Sequence, residues 1–169
     1  MRTLALALAL TLMGSCSRAP VSAAPVDRAA AELDILEAVF RYQFDHNHSG
    51  RSPSAFDYVF LSLASDTGLG LPKDPPASLL ARFKDHVPPV EPASGADTHA
   101  GSGMRSSVRH KQKGGRGILF FLTNIRWIDD STVEVDGGSH SGCESENTYR
   151  AERRDGVWVV VRDDLHWIS

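Results

Sequence analysis

Residues 117–169 read GILFFLTNIRWIDDSTVEVDGGSHSGCESENTYRAERRDGVWVVVRDDLHWIS, and the alternation within them decides the fold. Residues 118–122 are apolar on both faces, which predicts a strand that is central, or covered on both sides, at its start. After Thr123 the chain alternates, with Ile125 and Trp127 on one face and Asn124 and Arg126 on the other. Asp129-Asp130-Ser131 supplies a turn. Val133 and Val135 then alternate with Glu134 and Asp136, and Gly137-Gly138 is read as the end of that strand. Residues 139–147, SHSGCESEN, read as a connecting loop. Arg154-Asp155-Gly156-Val157 holds the strongest local signal, a two-residue Asp-Gly hairpin. Its register sets Arg153 opposite Trp158, Ala151 opposite Val160 and Tyr149 opposite Arg162. Tyr149, Ala151, Trp158 and Val160 then share a face, expected to turn toward the helices. Val157, Val159 and Val161 take the other, screened by the aliphatic stems of Arg150 and Arg154. Trp127, Trp158 and Trp167 are expected core anchors, since burying a large aromatic is worth about 4–6 kcal/mol gross.

Upstream, Asp27 is an N-cap for a helix through RAAAELDILEAVFRYQFDH. Leu33, Leu36, Phe40 and Phe44 recur at spacings of three and four, and Ile35, Val39 and Tyr42 widen the stripe enough to cover a sheet. Turn formers at residues 46–50 end the helix. His46 and His48 there are read as a solvated turn, because a metal site needs three or four ligands and only Asp45 is near. Residues 55–63, AFDYVFLSL, read as a strand. Asp74 before Pro75-Pro76 predicts a capped start to a short helix, SLLARFKDH, closed by Pro88-Pro89. Residues 87–116 lack periodicity and read as a long solvated arm. Its second half collects Arg105, Arg109, Lys111, Lys113 and Arg116, and Gly114-Gly115-Arg116-Gly117 offers backbone N–H groups to an anion.

The N-terminus reads as an export signal. Arg2 is followed by a Leu/Ala-rich run of about ten residues, where a membrane-spanning helix needs roughly 20. Met13-Gly14-Ser15-Cys16 resembles the lipobox of bacterial lipoproteins, in which the cysteine carries lipid; the competing reading is cleavage after Val21-Ser22-Ala23. The expected organisation is a signal at 1–15, lipidation at Cys16, a Pro/Ala-rich tether at 16–26 and one domain at 27–169. A chain of 169 residues, 41% of them apolar, supports one modest core rather than two. Of its two cysteines, Cys143 is left unpaired if Cys16 is lipidated. The formal charge of −3 argues against a generally basic nucleic-acid binder.

Chemistry-bearing residues gather only at His140, Cys143, Glu144 and Glu146, where a His-x-x-Cys spacing suits two metal ligands or a thiol and its base. The pattern GIxFF, W, VEVxGG, then Y, GxWxV and a closing WIS is similar to a group of small exported bacterial proteins of unknown function. That resemblance spans residues 117–169 and, weakly, the FRYQF and LARFKDH segments. It implies an α+β domain similar to NTF2-like or cystatin-like folds, and no catalytic residue. Ser139-His140 stand where members of the group carry aromatic residues after the two glycines.

The expected fold is therefore α+β, a curved antiparallel sheet of about four to five strands covered by an N-terminal helix and a short second helix. The expected function is a lipid-anchored envelope protein binding a small molecule or another protein, without cofactor or metal. Two alternatives are an enzyme using His140 and Cys143 on the concave sheet face, and a lipoprotein that self-associates through its valine face. Tyr149, Trp158, His140 and Cys143 are the candidate pocket residues.

Overall fold

A computed structural model describes residues 26–47, 55–63, 73–100 and 107–169. The expected signal, Cys16, most of the tether, His48 and Arg105 lie outside these residues. Helix α1 spans Arg28–His46, and the Asp27 side chain accepts from the Ala30 amide at 3.3 Å, as its N-cap position demands. Ile35, Leu36, Val39, Phe40 and Phe44 are buried along one face, so the stripe covers a sheet as expected. The fold is α+β, with α1, a short second helix and a large open sheet.

The remaining elements are β1 (Tyr58–Leu63), α2 (Ala77–Leu80, continued by a 3-10 turn at Ala81–Phe83), β2 (Val90–Pro92), β3 (Ala96–Ala100), β4 (Ser107–His110), β5 (Arg116–Asp129), β6 (Thr132–His140), β7 (Glu144–Arg154) and β8 (Val157–Ile168). The sheet order is β2-β1-β5-β6-β7-β8, with β4 paired to the start of β5 and β3 paired to β4. Strands β5 to β8 form the expected antiparallel run. β1 pairs in parallel with both β5 and β2, so the described sheet is mixed.

The doubly apolar start of β5 finds a cover on each side. Ile118, Phe120 and Leu122 enter the main core with α1, Phe83 and Trp158. Leu119 enters a second, smaller core with Phe60, Ala93, Ala96 and Val108 on the opposite face. Residues 93–96 and Val108 supply that second cover with Phe60, which corrects the reading of 87–116 as an unstructured arm. Its cations are largely engaged: Lys113 bonds Glu91 and Lys111 bonds the Ser94 carbonyl, both at 2.8 Å. His110 is held by geometry, its Nδ1 accepting from the Gln112 and Lys113 amides and its Nε2 lying 2.9 Å from Glu91. At the glycine run the backbone N–H groups find the protein's own anion, the Arg116 amide donating to the Asp57 carboxylate at 2.9 Å. Asp74 likewise does not cap α2, whose N-cap is Pro76; it accepts from the Ser94 amide.

The Asp-Gly turn forms as expected, with positive φ at both Asp155 and Gly156, and sets Arg153 opposite Trp158 and Ala151 opposite Val160. Two register shifts then alter β8, leaving Val161 and His166 without partners on β7. Asp163, not Arg162, therefore lies opposite Tyr149. Trp167 is not the expected core anchor: the two shifts cancel at its position and keep it on the outer face, where it pairs with Glu146, donates its indole N–H to that carboxylate at 2.6 Å and stays 43% exposed. Trp158 is the buried anchor, edge-on to the half-buried Trp127 at 5.6 Å.

Gly137 and Gly138 do not end β6, which continues to His140; only residues 141–143 form the connecting turn. Glycine is needed because the neighbouring backbones come very close. A Cβ on Gly138 would sit 1.8 Å from the Ser145 carbonyl oxygen. Gly138→Ala is expected to destabilise the fold by roughly 2–4 kcal/mol in urea melts, whereas Gly114→Ala, with open space around it, should cost about 1 kcal/mol through its positive φ.

Three carboxylates tie elements together and imply an acid limit. Burial raises Glu37, Glu91 and Asp136, but Arg82 and Arg41, Lys113 and His110, and Arg126 with Thr148, respectively, outweigh it and hold each below its usual value, 4.5 for the glutamates and 3.8 for Asp136. A lowered folded value means stability that is present above the unfolded value and lost as pH falls through the folded one. Thermal melts should therefore be insensitive to these groups near neutrality and fall below pH 4.5. Arg126→Gln should flatten the Asp136 part of that decline.

Candidate functional site

The last turn of α1 brings polar side chains onto the inner face of β6–β8. Gln43 falls four residues after Val39 and seven after Leu36, in phase with the apolar stripe, so it is carried into the core and is 0% exposed. Its Nε2 donates to the Gly138 carbonyl at 3.2 Å and to the Tyr149 hydroxyl at 3.1 Å. Asn47, one residue past the helix, donates to the same hydroxyl at 2.6 Å. Tyr149 is itself fully buried at the centre of this arrangement.

Neighbouring strands complete the cluster. Asn147, 4% exposed, donates from Nδ2 to Asp163 Oδ1 at 2.6 Å. The Tyr42 hydroxyl lies near the same carboxylate and feels its charge. Ser139 and Ser145 face each other with their hydroxyls 3.1 Å apart. Gln43, Asn147, Tyr149 and the two serines thus make a buried floor, and half-buried Tyr42, Asn47 and Asp163 make a rim. The Tyr42 and Tyr149 rings meet edge-on at 5.9 Å, while His46 stacks on Tyr42 at 4.0 Å.

Two atoms in the floor have no hydrogen-bond partner, Gln43 Oε1 and Asn147 Oδ1. A buried acceptor left without a donor costs about 1–3 kcal/mol, so such atoms mark a place where a further group fits. Burial pushes the Tyr149 phenol far above its usual 10. Burial, reinforced by the Asp163 charge, also raises Tyr42. Both tyrosines are therefore neutral hydrogen-bonding groups at physiological pH, suited to recognition rather than to nucleophilic or general-base chemistry.

The four residues singled out from sequence do not form one site. Tyr149 is the hub of the cluster. Trp158 lies on the same face farther along the sheet, beside Asp34, Glu37 and Arg41, where it lines a shallow groove of about 350 Å³. His140 lies on the opposite face, its ring 3.3 Å from Glu144 and 3.5 Å from the Thr98 carbonyl. It is five residues along β6 from the Tyr149 partner Val135, a distance of about 17 Å at the usual strand rise. Cys143 is exposed in the turn. No group of three or more potential metal ligands occurs among the described residues.

Gln43, Asn47, Asn147 and Asp163 were not among the sequence candidates. Gln43 carried a legible signal, a polar residue in phase with an apolar helix stripe. Asp163 carried none, because its place depends on the shift at Val161. Phe120 pairs across the sheet with Ser139 and lines a recess of about 110 Å³ with Phe44, Phe56, Val59 and Ile118, where Asp45 and His86 add polar groups. Compared with protein-family models, curated proteins and solved structures, the chain matches none.

Tyr149→Phe leaves the Gln43 and Asn47 amides without their shared acceptor. It should destabilise the protein by roughly 1–3 kcal/mol in urea unfolding, more than the ring packing alone would suggest.

Proposed function

We propose that this is an exported, lipid-anchored envelope protein of the small bacterial group its C-terminal pattern resembles, and that its domain binds a small molecule where α1 ends on the sheet. The observation that carries the binding reading is the pair of buried, unpartnered amide oxygens, Gln43 Oε1 and Asn147 Oδ1, with a mainly apolar recess opening next to them at Phe44, the neighbour of Gln43. A few convergent polar groups next to an apolar wall is the usual composition of a ligand site. Anchoring is supported by the short apolar run and the Met13-Gly14-Ser15-Cys16 stretch.

The geometry favours binding over the enzyme alternative. His140 is turned toward Glu144 on the far face, and the Cys143 thiol points to solvent rather than into the cluster. Edge-to-edge pairing through β8 is opposed by two register shifts and the Arg162-Asp163-Asp164 charges.

A thermal-shift screen of small polar and amphiphilic metabolites tests the binding reading. At least one compound class should raise the melting temperature of the wild type and have less effect on Tyr149→Phe; no shift from any class would sink it. For anchoring, Cys16→Ser should move the protein from the membrane to the soluble fraction, and retention in the membrane would refute lipidation there.

A further inference from the structure

We infer that the cluster at the end of α1 takes an organic ammonium group, with Asp163 as its counter-ion and Gln43 Oε1 and Asn147 Oδ1 as hydrogen-bond acceptors. This rests on the binding reading above and names the chemistry of the ligand.

The orientation of both amides is dictated by their neighbours. Gln43 Nε2 faces the Gly138 carbonyl, which can only accept, so a flipped amide would set oxygen against oxygen. Asn147 Nδ2 faces the Asp163 carboxylate, where a flip would be more costly still. The two unpartnered atoms are therefore oxygens by necessity, and what they lack is a donor.

The electrostatics point the same way. Among the described groups, Asp163 is bonded by the Asn147 amide and has the Tyr42 hydroxyl near it, both neutral, so the carboxylate has no cation against it there. The nearest arginine along the strand, Arg162, is bonded to Asp164 at 2.8 Å on the other face. Tyr149 is held neutral by burial, and the adjoining Ser139–Ser145 pair carries no charge. The rings of Tyr42 and Tyr149 add the negative π surface that favours a cation. Half-buried Tyr42, Asn47 and Asp163 leave an approach from solvent, and the neighbouring recess at Phe44 and Phe120 offers space for an apolar substituent.

Other ligand classes fit less well. A carboxylate or phosphate would meet a carboxylate and two amide oxygens with no cation to offset them. A neutral alcohol could donate to one oxygen but would leave Asp163 unneutralised. An ammonium supplies several N–H donors and the missing positive charge together.

The test is a titration of the full chain near pH 7 with butylammonium and phenethylammonium, against butanol, butyrate, potassium and calcium salts at matched ionic strength. Melting temperature and the near-ultraviolet tyrosine difference spectrum are read in parallel. The two ammonium compounds should raise the melting temperature and perturb the tyrosine signal, phenethylammonium more strongly. Asp163→Asn, which keeps the hydrogen-bonding outline, should weaken that binding about tenfold or more. Should that variant fail to fold, the wild-type spectrum still decides, because Tyr42 and Tyr149 contact the proposed ligand. Undiminished binding in folded Asp163→Asn, or an equal response to potassium or calcium, would overturn the ammonium assignment. Binding by butanol or butyrate alone, weakened by Tyr149→Phe, would overturn it while leaving the binding reading standing. No response to any compound here or in the wider screen would remove both.

Discussion

Five consecutive apolar residues at the start of β5, Ile118 to Leu122, cannot be satisfied by a sheet that faces water on one side. Inward, Ile118, Phe120 and Leu122 require α1 and the α2 segment, whose Phe40, Phe44 and Phe83 close over them. Outward, Leu119 requires a second layer, and Ala93, Ala96 and Val108 provide it together with Phe60. The parallel pairing of β1 with β5 follows, since it delivers Val59 and Leu61 to one core and Phe60 to the other. Hydrophobic burial on two faces of one strand thus arranges most of the chain around β5.

The polar cluster occupies the part of the inner face where that demand ends. Across the sheet from Phe120 and Leu122, β6 and β7 present Gly137, Ser139, Ser145 and Asn147 rather than large apolar side chains. Filling this ground with Leu or Val would give a more stable core at lower risk, because every buried polar atom needs a partner. Gln43 and Asn47 bond Tyr149, and Asn147 bonds Asp163, in two adjacent groups that satisfy most of their members and leave two oxygens open. Such incomplete satisfaction is costly in a core and useful in a recognition site, where the ligand supplies the missing donor.

Much of the fold was legible in local patterns. Asp27 and the Leu36–Phe40–Phe44 stripe specify α1, and Asp155-Gly156 specifies the β7–β8 turn with its first four cross-strand pairs. The inner face of Tyr149, Ala151, Trp158 and Val160 follows from them. What escaped were segments with too few apolar residues to show a period: β2, β3 and β4 are only three to five residues long, and β2 in addition pairs with a strand distant in sequence. Gly137 and Gly138 misled for a related reason. A glycine pair ends a strand in isolation, but here it lets β6 approach Phe121 and Ser145 more closely than any side chain allows.

The candidate site divides along the same line. Local sequence determined that Tyr149 faces the helix and that Gln43 sits in the buried phase of α1, because both follow from the periods of strand and helix. The charge beside Tyr149 was beyond its reach. Simple alternation from the hairpin puts Arg162 there, and the register shift at Val161 substitutes Asp163, reversing the sign of the site. A β-bulge is the compromise that four paired strands and a covering helix reach together, and no short stretch of sequence encodes it, so the electrostatic character of the cluster emerges only when β8 is packed against β7 and α1.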